Sequence, residues 1–136
     1  MATFKRFEDL EIWQLARKLC VNIFEITEKG PFLKDFRFRD QIKSSSGSIM
    51  DNIAEGYGRG GNKEFVNFLS IALGSCNECR SQLYRAIDWK YISEDEFNIN
   101  SQICLEIISK SGGLISYLKN SEYRGTKFHK TTNLEQ

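Results

Sequence analysis

The sequence predicts an all-α fold, an antiparallel up-down four-helix bundle. Three observations carry that prediction. The chain has a single proline, Pro31, too few breakers for a protein built on many β-turns. Four stretches repeat apolar residues at three- and four-residue spacing, the period of a helix with one buried face. The connections between them are short, which makes successive helices antiparallel neighbours. At 136 residues the chain can bury a core of its own as one domain. Residues 1–120 are assigned to that domain, and 121–136 to a polar C-terminal tail that frays.

The first helix is predicted from about Leu10 to Glu28, with Asp9 as its N-cap. Trp13, Ala16, Cys20, Ile23 and Thr27 form its stripe, widened by Ile12, Leu19 and Ile26. Gly30 and Pro31 stop it. The second helix is predicted from about Asp35 to Gly58, with Phe38, Ile42, Ser45, Ile49, Asn52, Ile53 and Gly56 on one face. Its serines and Gly47 are weak helix formers, so packing must hold it together.

The third helix, from about Lys63 to Lys90, has the clearest pattern. Leu69, Ala72, Cys76, Cys79, Leu83 and Ala86 alternate steps of three and four, the seven-residue repeat of left-handed bundle packing. Several of these are small, so a partner helix can approach closely. Phe65, Val66, Phe68, Leu73, Tyr84 and Ile87 add more apolar area than one seam uses, which points to self-association. The fourth helix opens on a capping box at Ser93 and Glu96, flanked by Ile92 and Phe97. Cys104, Ile108, Ser111, Ile115 and Leu118 continue its seam to about Asn120.

The formal charge of +1 gives no bulk drive toward nucleic acid or membrane. Charge is nonetheless uneven. Lys29, Lys34, Arg37, Arg39, Lys43, Arg59 and Lys63 outnumber Asp35, Asp40, Asp51 and Glu55, whereas acids exceed bases from Glu64 to Leu118. No apolar run reaches the roughly 20 residues that span a bilayer, and the N-terminus lacks the apolar core of a signal peptide. A cytoplasmic protein with reduced cysteines is expected, with no membrane association.

Little in the chain points to catalysis. Gly56-Tyr57-Gly58-Arg59-Gly60-Gly61 fits G-x-G-x-x-G, but the nucleotide fingerprint needs a strand before it, and here a helix precedes. Those glycines are a helix stop, followed by a helix start at Asn62. A phosphate held by the free N–H groups of the third helix with Arg59 and Lys63 is the functional alternative. Cys76 and Cys79 form a C-x-x-C in mid-helix, on the packing seam, away from the helix N-terminus that would lower a thiol pKa. No metal ligand set and no cofactor site are expected. Zinc would require Cys20 and Cys104 to meet that pair at one level. His129, the only histidine, falls in the tail, so histidine-based catalysis is not expected.

Two constellations remain. Arg37, Arg39, Lys43, Arg59 and Lys63 are the candidate nucleic-acid contacts. Asn52, Glu55, Gly56 and Arg59 are the candidate packing and assembly motif. Glu55 and Arg59 stand at i, i+4 in the favourable order, as either a surface ion pair or a partly buried cluster that fixes register.

From Phe7 to about Leu118 the chain resembles a bacterial four-helix-bundle family encoded within intervening sequences of 23S rRNA genes and often labelled ribosomal. The resemblance lies in Leu10-Glu11-Ile12-Trp13 with Ala16, in Gln41-Ile42, and in Asn52-Ile53-Ala54-Glu55-Gly56-Tyr57-Gly58-Arg59. It continues in Glu64-Phe65 with Phe68-Leu69, Ile71-Ala72-Leu73-Gly74-Ser75 with Glu78, and Tyr91-Ile92-Ser93. It implies an antiparallel four-helix bundle assembled as a homopentamer. It also implies a distant similarity to the accessory proteins of diversity-generating retroelements, which bind nucleic acid and a reverse transcriptase through basic surface.

The chain departs from the family pattern at three places. Met50 stands where proline is frequent, which should reduce a kink in the second helix. Ser44 follows Lys43 where a second basic residue is frequent, which weakens the nucleic-acid case. Lys90 stands where glycine is frequent, which should change how the third helix ends.

The expected function is that of a non-enzymatic, oligomeric bundle protein that contacts RNA, DNA or a nucleic-acid enzyme through a basic edge around the second helix. The alternative is a structural or adaptor ring that binds a protein partner and touches no nucleic acid.

Overall fold

The computed structural model describes residues 4–132, with side chains described from 4 to 121. A 3-10 turn at Phe7–Asp9 leads into α1 (Glu11–Thr27), α2 (Gly30–Lys34), α3 (Phe36–Gly58), α4 (Asn62–Asp88) and α5 (Glu94–Thr132). The described residues contain no strand. The four long helices are those expected from the periodicity, and the short α2 is an addition.

The origin of α2 lies in Gly30-Pro31. Gly30 turns the chain at φ +59°, and Pro31 sits in the first helical turn, where its fixed φ is already suited to a helix. The pair expected only to stop α1 therefore also starts a new turn of helix. That turn buries Phe32 completely, stacked on Phe38 at 4.9 Å and 5.2 Å from Tyr91. The start of α1 also differs from expectation. Its N-cap is Leu10, without a side-chain cap bond, and Asp9 instead accepts from the Lys5 N–H at 3.2 Å.

The other helix ends follow local chemistry. Asp35 caps α3 by accepting from the Phe38 N–H at 3.1 Å, and its second oxygen accepts from the Tyr91 hydroxyl at 2.9 Å. At α5 the capping box is complete: Ser93 Oγ accepts from the Glu96 N–H at 3.1 Å, and Glu96 Oε1 from the Ser93 N–H at 2.9 Å. The backbone of α5 continues to Thr132 rather than stopping near Asn120. No proline interrupts that stretch, and extending an existing helix takes little free energy. The rest of the expected tail lies outside the described residues.

α4 ends in a Schellman motif. The Lys90 N–H donates to the Ile87 carbonyl at 3.0 Å and the Tyr91 N–H to the Ala86 carbonyl at 2.8 Å, with Lys90 at φ +61°. The helix thus ends as a glycine would end it, with lysine in the left-handed position. α3 runs unbroken through Met50.

The long helices pack in the ring order α1, α3, α4, α5. Cross-helix contacts fix the directions. Lys43 meets Glu28, Ser45 meets Gln82, Tyr84 meets Phe97, and Lys29 and Lys110 of opposite ends meet Glu96 and Glu11. Each neighbouring pair is antiparallel. Every expected seam residue of α4 is buried. On α5 the buried face is Asn100, Ile103, Cys104, Ile107, Ser111 and Leu118, while Ile108 and Ile115 are only half-buried. Ile107 stands three residues and Ile108 four residues after Cys104; both steps fit a helix, and the fold buries the first.

Between α3 and α4 small residues face each other. Ser45 donates to Gln82 Oε1 at 2.6 Å with both side chains buried, and Ser75 donates to Ser48 Oγ at 2.9 Å. Asn52 donates to that same Ser48 Oγ at 2.9 Å and to its carbonyl at 2.8 Å. The two bonds that cross between the helices oppose sliding, since a shift would leave buried Ser45 and Gln82 without partners.

Candidate functional site

The five candidate cations fall into two groups at opposite ends of α3. Arg37, Arg39 and Lys43 occupy its first two turns, and Arg59 and Lys63 flank its C-terminus. At 1.5 Å per residue the groups stand about 30 Å apart. They do not form one patch.

Within the first group the cations differ. Lys43 is neutralised by Glu28 at 2.6 Å and lies 4.8 Å from the Phe24 ring centroid. Arg39 donates to the Leu33 carbonyl at 3.2 Å, pairs with Asp40 at 3.6 Å, and covers the Phe36 ring at 5.0 Å. Arg37 is exposed and has no ion-pair partner among the described residues. In the second group Arg59 pairs with Glu55 at 2.9 Å and lies 5.0 Å from the Phe68 ring centroid, while Lys63 is exposed.

The assembly motif also separates. Glu55 and Arg59 form a surface ion pair, both about half exposed. That hydrogen bond raises the Arg59 pKa further. Asn52 turns away from them toward Ser48 in the α3–α4 interface. Gly56 is buried against Phe65 and Phe68 of α4. Of the four residues, Gly56 lies directly against α4, Asn52 bonds within α3 to Ser48, and Glu55 and Arg59 face solvent.

The glycine-rich stretch joins two helices. Gly60 takes φ +89°, and Gly61 is the N-cap of α4 without a side-chain cap bond. Asn62 donates to the Leu118 carbonyl at 3.4 Å. A cavity of about 340 Å³ lies beside it, lined mainly by Phe4, Tyr57, Phe65, Leu114 and Leu118.

Cys76, Cys79 and Cys104 are fully buried free thiols, and Cys20 is half-buried. Cys76 donates to the Cys104 carbonyl at 3.5 Å. Its bond with Cys104, and then burial, push the Cys76 thiol far above the ordinary range. The C-x-x-C thus sits in the core. Among the described residues, no group of three or more His, Cys, Asp or Glu side chains is placed to hold a metal ion. His129 lies outside the described side chains.

Two residues missed in the sequence stand at the cationic end of α3. Arg85 lies 4.2 Å from the Phe38 ring centroid and 5.5 Å from that of Trp89, and donates to Gln41 Oε1 at 3.5 Å. Trp89 is 50 % exposed. Their i, i+4 spacing at the end of α4 was a readable signal. The aromatics they join, Phe38 and Tyr91, come from other segments, and only folding brings them together.

No helix among the described residues is long and apolar enough to cross a membrane. Among curated proteins, no sequence matches the chain. A crystal structure at 1.70 Å resolution from Bacteroides thetaiotaomicron VPI-5482, described as a protein of unknown function from the S23 ribosomal protein family, superposes with a TM-score of 0.70. It is 25 % identical, and the match covers 76 % of this chain and 97 % of that one. The family model described as 23S rRNA-intervening sequence protein matches residues 8–113, a span that takes in α1 to α4 and the first half of α5. The chain belongs to the 23S rRNA-intervening sequence protein family.

Proposed function

We propose that this chain is a non-enzymatic, self-associating bundle protein that binds nucleic acid through the cations at the N-terminal end of α3. The observation that carries the proposal is the set of exposed cations there. Lys34 and Arg37 project into solvent with no carboxylate at ion-pairing distance among the described residues, and Arg39 and Arg85 stand beside them. Lys43 belongs to the same edge but is matched by Glu28. Arg59 and Lys63 would form a separate contact.

Self-association is supported by large apolar side chains left open on all four long helices: Val21 and Phe24 on α1, Phe36 on α3, Ile71 and Tyr84 on α4, Ile99, Leu105 and Tyr117 on α5. A homopentamer follows the family resemblance. Light scattering that finds a monomer at micromolar concentration would refute it.

Labelled RNA and DNA titrated at several salt concentrations test the binding. Counterion release makes affinity fall steeply with salt. Arg37→Gln should lower the slope of log affinity against log salt by about one. Absence of binding at low salt overturns the proposal.

A further inference from the structure

We infer that the corner formed by the first turn of α3 and the last turn of α4 is a stacking platform for unpaired nucleobases, with Trp89 as its aromatic surface. The inference rests on the nucleic-acid proposal above and narrows it to single strands. Three side chains hold Trp89, with Arg85 over its ring at 5.5 Å from the centroid. Phe38 and Tyr91 meet its ring edge-to-face, at centroid distances of 5.4 and 5.7 Å and interplanar angles of 68° and 76°. Half the indole surface is exposed. An indole fixed in place while exposed loses little further freedom when a flat ring lies on it.

The surroundings match the charge of a strand. Arg85 packs between Phe38 and Trp89 without an ion-pair partner among the described residues. Its guanidinium can meet a phosphate while the neighbouring base rests on the indole. On α3, Gln41 binds Arg85, and Phe36 lies roughly 140° away around the helix, with Arg37 between them. Phe36 is 65 % exposed and lies under Arg39. The outer surface therefore passes from aromatic to cation to cation to aromatic.

The acids here are mostly engaged. Asp35 is occupied by the Phe38 N–H and the Tyr91 hydroxyl, and Asp40 is beside Arg39. Asp88 is the exposed acid of the last turn. Cations flanked by exposed aromatics suit a strand whose bases are free. A duplex keeps the faces of its bases stacked inside and presents phosphates, sugars and base edges, none of which stacks on an indole.

The test uses the full chain with a short pyrimidine-rich RNA, its DNA counterpart and a duplex of the same sequence, at low salt. Either single strand should quench indole fluorescence. Trp89→Leu should abolish the quench and weaken strand binding about tenfold. The salt slope should stay unchanged in that variant, because no charge is removed. Trp89→Phe, which keeps an aromatic on Phe38, should lose the quench but hold affinity within about threefold.

If Trp89→Leu binds strands as tightly as the parent while Arg37→Gln still weakens binding, the stacking inference falls and the charge proposal stands. Tighter binding of duplex than of single strand also overturns the inference. So does a quench that survives in Trp89→Phe, which would locate it at Trp13. An indole emission that shifts with protein concentration and ignores the strand assigns Trp89 to a subunit contact and refutes the platform. No binding of any strand at low salt removes both claims.

Discussion

A methyl group built on Gly56 would stand 2.5 Å from Cβ of Phe68. No side-chain rotation relieves that contact, because Cβ is fixed by the α4 backbone. It would also stand 3.1 Å from the Phe65 ring. The α3–α4 spacing is therefore set by the absence of a side chain at Gly56. Gly56→Ala should force the helices apart and destabilise the fold by about 2 kcal/mol. Gly47 supplies the internal comparison: it is in the same helix with nothing within 4 Å of an added Cβ. Gly47→Ala should stabilise by about 0.5–1 kcal/mol through helix propensity. Urea unfolding of both variants checks the pair, and equal effects would contradict the close approach.

Lys90 occupies the left-handed position of the Schellman motif that ends α4. An L-residue there loses about 1–2 kcal/mol relative to right-handed backbone. Glycine avoids that strain but brings greater freedom to the unfolded chain, which offsets part of the gain. Lys90→Gly should raise stability by about 0.5–1 kcal/mol, and Lys90→Val should lower it. Thermal unfolding followed by circular dichroism distinguishes these outcomes.

The bundle was legible in the sequence because helical period survives in one dimension. The six-residue stripe of α4 is buried throughout, although Gln82, polar and outside that stripe, is buried beside it, and the Ser93–Glu96 box needed only a three-residue spacing. On α5 the period was right, but Ile108 and Ile115 were placed too far inward. Ile107 and Ile108 stand three and four residues after Cys104, both helical steps, so the period alone did not choose between them, and the buried one is Ile107. The short α2 was missed because Gly30 and Pro31 signal both an ending and a beginning. The candidate cations were grouped by nearness in sequence and charge, whereas α3 holds Arg37 and Arg59 at opposite ends. Arg85 and Trp89 were overlooked because their partner Phe38 is on another helix.

Acid should loosen the α1 end of the bundle. Burial pushes the Glu96 carboxyl up, but hydrogen bonds from Lys29 and Ser93 outweigh it and hold the group below its ordinary 4.5. The Lys43 hydrogen bond does the same for Glu28. A carboxylate with a lowered folded-state pKa contributes stability that is present above 4.5 and lost as pH falls through the lowered value. The melting temperature should therefore drop on acidification below that point. A Glu28→Gln, Glu96→Gln double variant should start lower at neutral pH and lose less in acid. Equal acid losses in parent and variant would remove these two pairs as the cause.

The thiols give the sharpest check on the core. For Cys104 the hydrogen bond with Cys76 lowers the pKa, but the bond with Cys79 and burial together raise it well above the ordinary value. Cys76 is raised further still, and burial raises Cys20 against a smaller opposing bond with Ser46. A thiol reagent attacks the thiolate and needs access; Cys76, Cys79 and Cys104 are all buried, and the raised pKa of Cys76 and Cys104 also keeps those two protonated. In native protein a disulfide-exchange dye should label at most Cys20, slowly, whereas all four cysteines should react once the chain is denatured. A Cys20→Ser variant should then be silent until unfolding. Rapid native labelling of Cys76 or Cys79 would mean that α4 and α5 separate readily, and the C-x-x-C would have to be reconsidered as a redox pair.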